Sequence, residues 1–186
     1  MATESKKTPE RPFGGLKIYY SGSMAGVAEL DLDFPSQLVT YMEQGGAEVL
    51  DKHVAIPHKG DEFLAAIALT HGFTFEEWQG LAQHEKDTRI YRHDMKLIDQ
   101  ATHVITLLNG ASHGVGMEVQ EALRKPHMGL NHTPILGLVH ESAGANLSPM
   151  MRGASHVYAE LFQLQTYTNL ESAQQAIHTF LTAKPS

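Results

Sequence analysis

Continuous apolar runs alternate along the chain with segments of helical periodicity. Strands are predicted over residues 16–20, 47–50 with a continuation toward 56, 102–108, 134–140 and 161–167. Helices are predicted from Pro35, in one or two pieces over 60–84, over 88–100, after the loop 109–116, and from Asn169 to about 181. This order predicts an α/β fold, a doubly wound (Rossmann/flavodoxin-like), five-stranded and mostly parallel sheet with helices on both faces.

The domain organisation follows from length and composition. A chain of 186 residues has the size of one ordinary domain, and a hydrophobic content of 42% suffices for a single core. Residues 1–14 mix charge with proline and glycine and lack apolar periodicity, which predicts a flexible N-terminal arm. Residues 15–186 show no linker and no repeat, so we expect one folded domain after the arm.

Charge and cysteine content exclude several classes of function. The formal net charge of −7 disfavours a nucleic-acid polymer as partner, because such a partner requires a basic surface. The absence of cysteine excludes disulfides, thiolate chemistry and cysteine-based zinc sites. No apolar run reaches the roughly 18 residues of a membrane span, and no signal peptide is apparent. We therefore expect a soluble protein with no membrane partner, in the cytoplasm or alternatively in the nucleus.

Two loops rich in glycine and serine follow predicted strands. SGSMAG follows the first strand, and NGASHGVG follows the strand over 102–108 and leads into a helix. Ligands of parallel sheets bind at the carboxyl ends of the strands, and a helix start offers N–H groups to an anion such as phosphate. Neither loop is a Walker A motif or a dinucleotide fingerprint. Each loop taken alone is more typical of an ordinary turn than of a ligand site.

Two carboxylates lie on apolar helix faces. Asp94 stands four residues from both Ile90 and Ile98, and Glu118 lies between Val115 and Val119. Burying an unpaired carboxylate costs several kcal/mol or raises its pKa.

Each acid also has a structural explanation, since Glu118 is expected in the first helical turn and Asp94 could pair with Arg89 or Arg92. Two acids on helices that flank one strand nevertheless indicate glycosidic-bond chemistry, in which one acid protonates the leaving group.

Metal and serine-hydrolase chemistry receive little support. The chain has twelve histidines but no HExxH motif and no familiar ligand spacing, so neither a metal nor a cofactor is predicted. A Gly-x-Ser-x-Gly nucleophile elbow is also missing. His53, directly after the second strand, could reach the same crevice as the two acids.

Five segments together resemble a known family. In chain order they read IYYSGSMAG, LDKHVA, RIYRHDMKLIDQATHVI, SHGVGMEVQEAL and LSPMMRGA. From about residue 16 to 153 the chain resembles the 2'-deoxynucleoside 5'-phosphate N-hydrolases (Rcl type) of the nucleoside 2-deoxyribosyltransferase-like superfamily. Two departures stand out: the stretch 56–86 is longer than in the family, and GSMAG replaces GSIRG, so that Ala25 stands in place of an arginine.

The resemblance implies roles for individual residues. Glu118 matches the nucleophile that attacks the anomeric carbon, Asp94 matches the acid that assists departure of the base, and Tyr19 matches the tyrosine that positions the nucleophile. Ser148 and Met150 match residues that a second subunit inserts, which implies a homodimer. The remaining implied contacts are to the sugar and the 5'-phosphate, from Gly22, Ser23, Met24, Gly26, His53, Ser112, Gly114 and Gly116.

The resulting hypothesis is an enzyme, a nucleoside 5'-monophosphate N-hydrolase that uses no cofactor. It would split the N-glycosidic bond of a small-molecule (2'-deoxy)nucleoside 5'-monophosphate through a covalent glycosyl-Glu118 intermediate, giving free base and (deoxy)ribose 5-phosphate. One alternative is a nucleoside 2-deoxyribosyltransferase that passes the sugar to a second base. Another is a ribonucleotide (CMP-type) N-glycosidase. A non-catalytic nucleotide-binding module would have no need for two acids near an anionic ligand.

Overall fold

A computed structural model describes residues 11–22, 33–56 and 60–183. Its centre is a five-stranded parallel sheet with the strand order β2-β1-β3-β4-β5. The strands are β1 (Lys17–Gly22), β2 (Glu48–Val49), β3 (His103–Leu107), β4 (Ile135–His140) and β5 (Phe162–Tyr167). The predicted α/β doubly wound fold is confirmed, and the strand order places the topological switch point between β1 and β3.

Seven α-helices connect or flank these strands in the described part of the chain. They are α1 (Phe34–Gln44), α2 (Asp61–Thr70), α3 (Phe75–Gly80), α4 (Gln83–Gln100), α5 (His113–Arg124), α6 (Pro149–Val157) and α7 (Leu170–Thr182). Short 3₁₀ helices span His53–Ala55, Lys125–Met128 and Glu141–Asn146. None of the helices in these described ranges is both long and apolar enough to cross a membrane.

Local sequence signals explain several helix ends. Pro35 lies in the first turn of α1, where its missing N–H has no intrahelical partner to lose. Ser112 caps α5 by accepting a hydrogen bond from the Val115 N–H, and Asn169 caps α7 in the same way from Ser172.

The sheet separates two apolar cores. Ile18 and Tyr20 of β1 pack with α1 and α7 on one face, whereas Tyr19 packs with α4, α5 and α6 on the other. Alternate residues of a strand point to opposite faces, so Ser21 lies on the same face as Tyr19. The face that carries α4 and α5 therefore receives the side chains of both Tyr19 and Ser21.

The long stretch predicted as one or two helical pieces forms its own small core. Ile67 and Ala68 of α2 pack on Trp78 of α3, and Ile90 of α4 borders this cluster. The stretch is thereby attached to the helix that carries Asp94.

The folded part of the chain begins before the expected boundary at residue 15. Residues 11–14 form a turn, and Phe13 is buried in the core of α1 and α7. A Cβ atom at Gly45 would lie 2.1 Å from the Phe13 ring, so only glycine permits this approach. Residues 1–10 lie outside the described part of the chain.

Two predicted boundaries were wrong, and one helix was missed. The second strand ends at Val49 and is followed by a 3₁₀ helix instead of continuing toward residue 56. Helix α4 starts five residues earlier than expected, at Gln83. Helix α6 was not predicted at all, because it is short, contains Gly153 and buries none of its residues completely.

Candidate active site

The side chain of Glu118 meets β1 beside the switch point of the sheet. Ser21 lies in β1, and its hydroxyl donates a hydrogen bond to Oε2 of Glu118. The Tyr19 hydroxyl also hydrogen-bonds to Glu118, as its place on the same face of β1 allows. Two donors on one strand therefore hold a carboxylate that projects from α5.

Opposing influences act on the ionisation of Glu118. Burial raises the pKa of Glu118, and the hydrogen bonds from Ser21 and Tyr19 lower it. The effect of burial is larger, so the pKa lies above its ordinary value. The sequence placed Glu118 in the first helical turn, but α5 begins at His113 and its first turn contains no acid. The two hydrogen bonds, more than the helix dipole, therefore stabilise the charged form.

Asp94 is the second carboxyl group of the site. It lies on α4, one turn from Ile98, and its Oδ1 atom is buried without a hydrogen-bond partner among the described residues. Arg89, one of its two expected partners, instead lies over the Phe73 ring at 4.9 Å from the centroid. Burial, followed by the charges of Asp51 and Glu118, raises the pKa of Asp94 to about 7. Near neutral pH, Asp94 is therefore protonated in a large fraction of the protein molecules.

His53 and Asp51 form an ion pair next to these acids. Nδ1 of His53 lies 2.5 Å from Oδ1 of Asp51, a buried carboxylate two residues after the end of β2. Burial lowers the pKa of His53, but the hydrogen bond and charge of Asp51, with the charges of Asp94 and Glu118, raise it overall. His53 is therefore close enough to both acids to be influenced by their charges.

Tyr19 stays protonated in this setting. Burial raises the pKa of its hydroxyl, and the negative charges of Glu118, Asp94 and Asp51 raise it further. A neutral tyrosine is a hydrogen-bond donor, as its contact with Glu118 requires. We call the whole group the Glu118 cluster, which comprises Tyr19, Ser21, Asp51, His53, Asp94 and Glu118.

The glycine-rich loops contribute less directly to the described geometry. Gly114 lies beside the cluster, since a Cβ atom there would be 3.9 Å from Oε1 of Glu118. Ser112 is exposed, and its hydroxyl accepts the capping hydrogen bond of α5 at 3.3 Å. Gly22 ends β1 opposite Leu107 of β3. The predicted substrate residues Ser23, Met24 and Gly26 lie outside the described residues.

A separate cavity of about 880 Å³ lies between α5 and α6. Four of the predicted site residues line it: Ser112, Gly116, Ser148 and Met150. The members of the Glu118 cluster do not line it. The structure thus divides the predicted site residues into a titratable cluster and a second group around this cavity.

The sequence pattern did not predict that Ser21 and Asp51 belong to the Glu118 cluster. Ser21 was considered only as part of the SGSMAG loop, and Asp51 was not considered. The alternation of β1 would have placed Ser21 beside Tyr19. Asp51 is a single aspartate after a strand, and no periodicity of the sequence indicates where its side chain lies.

The arrangement combines the hydrogen-bonded carboxylate of Glu118 with the carboxyl group of Asp94, whose raised pKa favours the protonated form. The first can act as a nucleophile or base, and the second can donate a proton to a leaving group. In the described ranges, no group of three or more histidine, aspartate or glutamate side chains could hold a metal ion.

Comparisons with known proteins identify a related architecture. The chain matches no protein-family model and no curated protein. Among solved structures it is similar to the Clostridium botulinum CMP N-glycosidase BcmB, with a TM-score of 0.53 and 14% sequence identity. The match covers 87% of this chain and 96% of that chain. At this identity the similarity establishes a shared fold.

Proposed function

We propose that this protein is an N-glycosidase that hydrolyses nucleoside 5'-monophosphates to free base and (deoxy)ribose 5-phosphate. The observation that carries the proposal is the pairing of a hydrogen-bonded Glu118 carboxylate with a buried Asp94 whose pKa is about 7. Retaining glycosidases need one carboxylate to attack and one carboxylic acid to protonate the leaving group. The environment of Glu118 favours a carboxylate and that of Asp94 favours a carboxylic acid, and both residues belong to the same cluster.

The reaction proceeds in two displacement steps. An oxygen of the Glu118 carboxylate attacks the anomeric carbon, the C–N bond breaks, and its electron pair departs with the base. Asp94 gives its proton to the base, and a glycosyl ester of Glu118 remains. Water then attacks the same carbon, Asp94 takes up the proton, and Glu118 leaves as a carboxylate. Tyr19 and Ser21 keep the carboxylate oriented throughout.

Two resemblances bear on the sugar of the substrate. The fold resembles that of an enzyme named as a CMP N-glycosidase. The resemblance in the sequence motifs points instead to 2'-deoxynucleotides. We propose nucleoside 5'-monophosphates as the class, with the 5'-phosphate held by the backbone N–H groups and serines of the glycine-rich loops.

The proposed functional unit is a homodimer. Ser148 caps α6, and Met150 in the first turn of α6 is 82% exposed. An apolar side chain this exposed is suited to contact a second copy, in which it would complete the neighbouring site.

The direct test incubates the purified protein with each deoxy- and ribonucleoside 5'-monophosphate and measures free base by liquid chromatography. We expect base release from at least one nucleotide by the wild type, and loss of release with intact nucleotide binding in Glu118→Gln. Absence of release from every nucleotide would overturn the proposal and favour a binding module.

A second arm adds an excess of another free base. Formation of abundant exchanged nucleotide would identify a transferase instead of a hydrolase.

A further inference from the structure

Asp51 is a buried carboxylate whose position needs an explanation. It is 2% exposed and lies two residues after the end of β2, although burying an aspartate costs several kcal/mol unless it is paired. Its partner is His53, whose Nδ1 lies 2.5 Å from Oδ1 of Asp51. Asp51 lies in the short segment between β2 and the 3₁₀ helix His53–Ala55, and His53 is the first residue of that helix. The buried charge is therefore matched by a side chain only two residues away.

This pairing determines which nitrogen of His53 can act on other groups. Nδ1 is engaged by Asp51, so a proton that His53 exchanges with any further partner passes through Nε2. The imidazole is only partly buried, and its ring centroid lies 6.4 Å from that of Phe63 on α2. The charges of Asp94 and Glu118 also act on His53, so the ring lies within electrostatic range of the two proposed catalytic groups.

We propose that Asp51 is a positioning residue that holds His53 as an imidazolium and so presents an Nε2–H donor to the substrate of Asp94 and Glu118. The inference rests on the proposed function and deepens it. Asp51 itself does not touch the substrate. Its effect on the reaction passes through His53 and through its own negative charge.

The charges of the cluster agree with this role. Asp51 ranks before Glu118 among the charges that raise the pKa of Asp94, so its charge helps to keep the proton on the general acid. The same charge favours the protonated form of His53. Removing it would therefore lower the pKa of both proton donors at once.

The ionisation of His53 depends on groups from every neighbouring element. His93 and Asp94 on α4, and Glu118 on α5, belong to this surrounding. His71, the residue after α2, also interacts with His53 through its charge. The pKa values of His71 and His93 are lowered, chiefly by burial and in part by His53, so these two rings favour the neutral state. The imidazolium of His53 therefore faces mainly carboxyl groups.

The test is a double-mutant cycle on base release. Wild type, Asp51→Asn, His53→Gln and the double variant are compared in kcat and KM across about pH 5 to 9 with the best nucleotide. We expect Asp51→Asn to lower kcat by about 10- to 100-fold, with KM changed less than about 3-fold. In the His53→Gln background the same substitution should lower kcat by clearly less than it does in the wild type, because the route through His53 is absent and only the direct effect of the Asp51 charge on Asp94 is left.

A pH profile separates positioning from mere structural support. In Asp51→Asn the alkaline limb of kcat should move to lower pH, because Asp94 and His53 lose their protons earlier. Asp87→Asn is the matched control, since Asp87 is an exposed aspartate of α4 that accepts a hydrogen bond from Gln83. That variant should keep the wild-type profile.

The possible outcomes distinguish this inference from the proposed function. An active wild type that needs Glu118, together with an unchanged Asp51→Asn or additive effects in the cycle, overturns the inference alone. A wild type that releases no base overturns both.

If Asp51→Asn does not melt cooperatively, the cycle is replaced by an NMR titration of His53 in the wild type, assigned by its loss in His53→Gln. A pKa above the ordinary 6.5 supports the inference, and one below it overturns it.

Discussion

Ser21 donates a hydrogen bond to the Glu118 carboxylate from a buried position in β1. The variant Ser21→Ala lacks this donor. One of the two hydrogen bonds that oppose the effect of burial is then lost, so the pKa of Glu118 should rise further. We expect the acid limb of kcat/KM to move to higher pH and kcat to fall by about 10-fold or more, the scale of one hydrogen bond to a charged group. The measurement is a pH–rate profile of base release.

The control for this variant is Thr182→Ala. Thr182 lies near the end of α7 and donates to the His178 carbonyl, and neighbouring Phe180 contacts His103 at the start of β3. This substitution removes a hydroxyl at the opposite end of the sheet and should leave the profile unchanged. An unshifted acid limb in Ser21→Ala would contradict the proposed role of the hydrogen bond.

Asp94 should make the stability of the fold depend on pH. Its pKa is about 7 in the folded protein and 3.8 ordinarily, so between these values the folded state binds more protons than the unfolded state. Stability is therefore lost as pH rises through this window. Asp94→Asn cannot ionise, so its melting temperature relative to wild type should increase from about pH 4.5 to about pH 8. Its kcat should fall by about 100-fold or more.

Thermal melts at both pH values test this prediction, with Asp87→Asn as the exposed control. A difference in melting temperature that is the same at both pH values would show that Asp94 titrates normally.

At the residue scale, the sequence predicted the site in part. Glu118 and Asp94 were identifiable because helical periodicity puts both acids on apolar faces. The Asp51–His53 pair was not, because its two residues meet through a turn after β2 that no periodicity describes. The roles of Glu118 and Asp94 stay predictions, as do the substrate contacts of Ser23, Met24 and Gly26.

At the element scale, a buried lysine anchors the helix that carries Asp94. Lys125 is 1% exposed, and its Nζ donates to the carbonyls of Ile98 and Ala101 at 2.9 and 2.8 Å. These carbonyls belong to the end of α4, where intrahelical donors are missing. Lys125→Met should lower the free energy of unfolding by about 2–4 kcal/mol, because two buried acceptors lose their donor.

Chemical denaturation measures this loss. Lys86→Met is the matched control, because Lys86 makes a single hydrogen bond to the Gln79 carbonyl in a more exposed setting. A Lys125→Met protein as stable as the control would contradict the anchoring role.

The elements most clearly predicted are those whose local and tertiary preferences agree. Helix α7 has a capping asparagine and a buried apolar face, and β4 is a continuous apolar run buried in the sheet. Strand β2 is shorter than its apolar run indicates, because the following residues turn to form the Asp51–His53 pair. Helix α6 could have been recognised from Ser148 and Pro149, a typical helix start, but its exposed face gives no core signal.

At the scale of the whole molecule, the exposed face of α6 bears on assembly. Met150 is 82% exposed and lines the cavity between α5 and α6. We expect the wild type to be a dimer in light scattering coupled to size exclusion. Met150→Lys should shift it toward the monomer and lower kcat/KM by about 10-fold, because burying the introduced charge is costly.

Leu69→Lys provides the control for this substitution. Leu69 lies on α2 and is 77% exposed, but it does not line the cavity. It should leave assembly and activity unchanged. A monomeric wild type with full activity would contradict the proposed dimer.

The central claim is that Glu118 forms a covalent bond to the sugar. The most direct measurement mixes the protein with a 2-fluoro analogue of its best nucleotide, which slows hydrolysis of the intermediate, followed by mass spectrometry of the peptides. The account predicts a sugar 5-phosphate adduct on the peptide that contains Glu118, absent in Glu118→Gln. Release of base with no adduct, or an adduct on another residue, would contradict it.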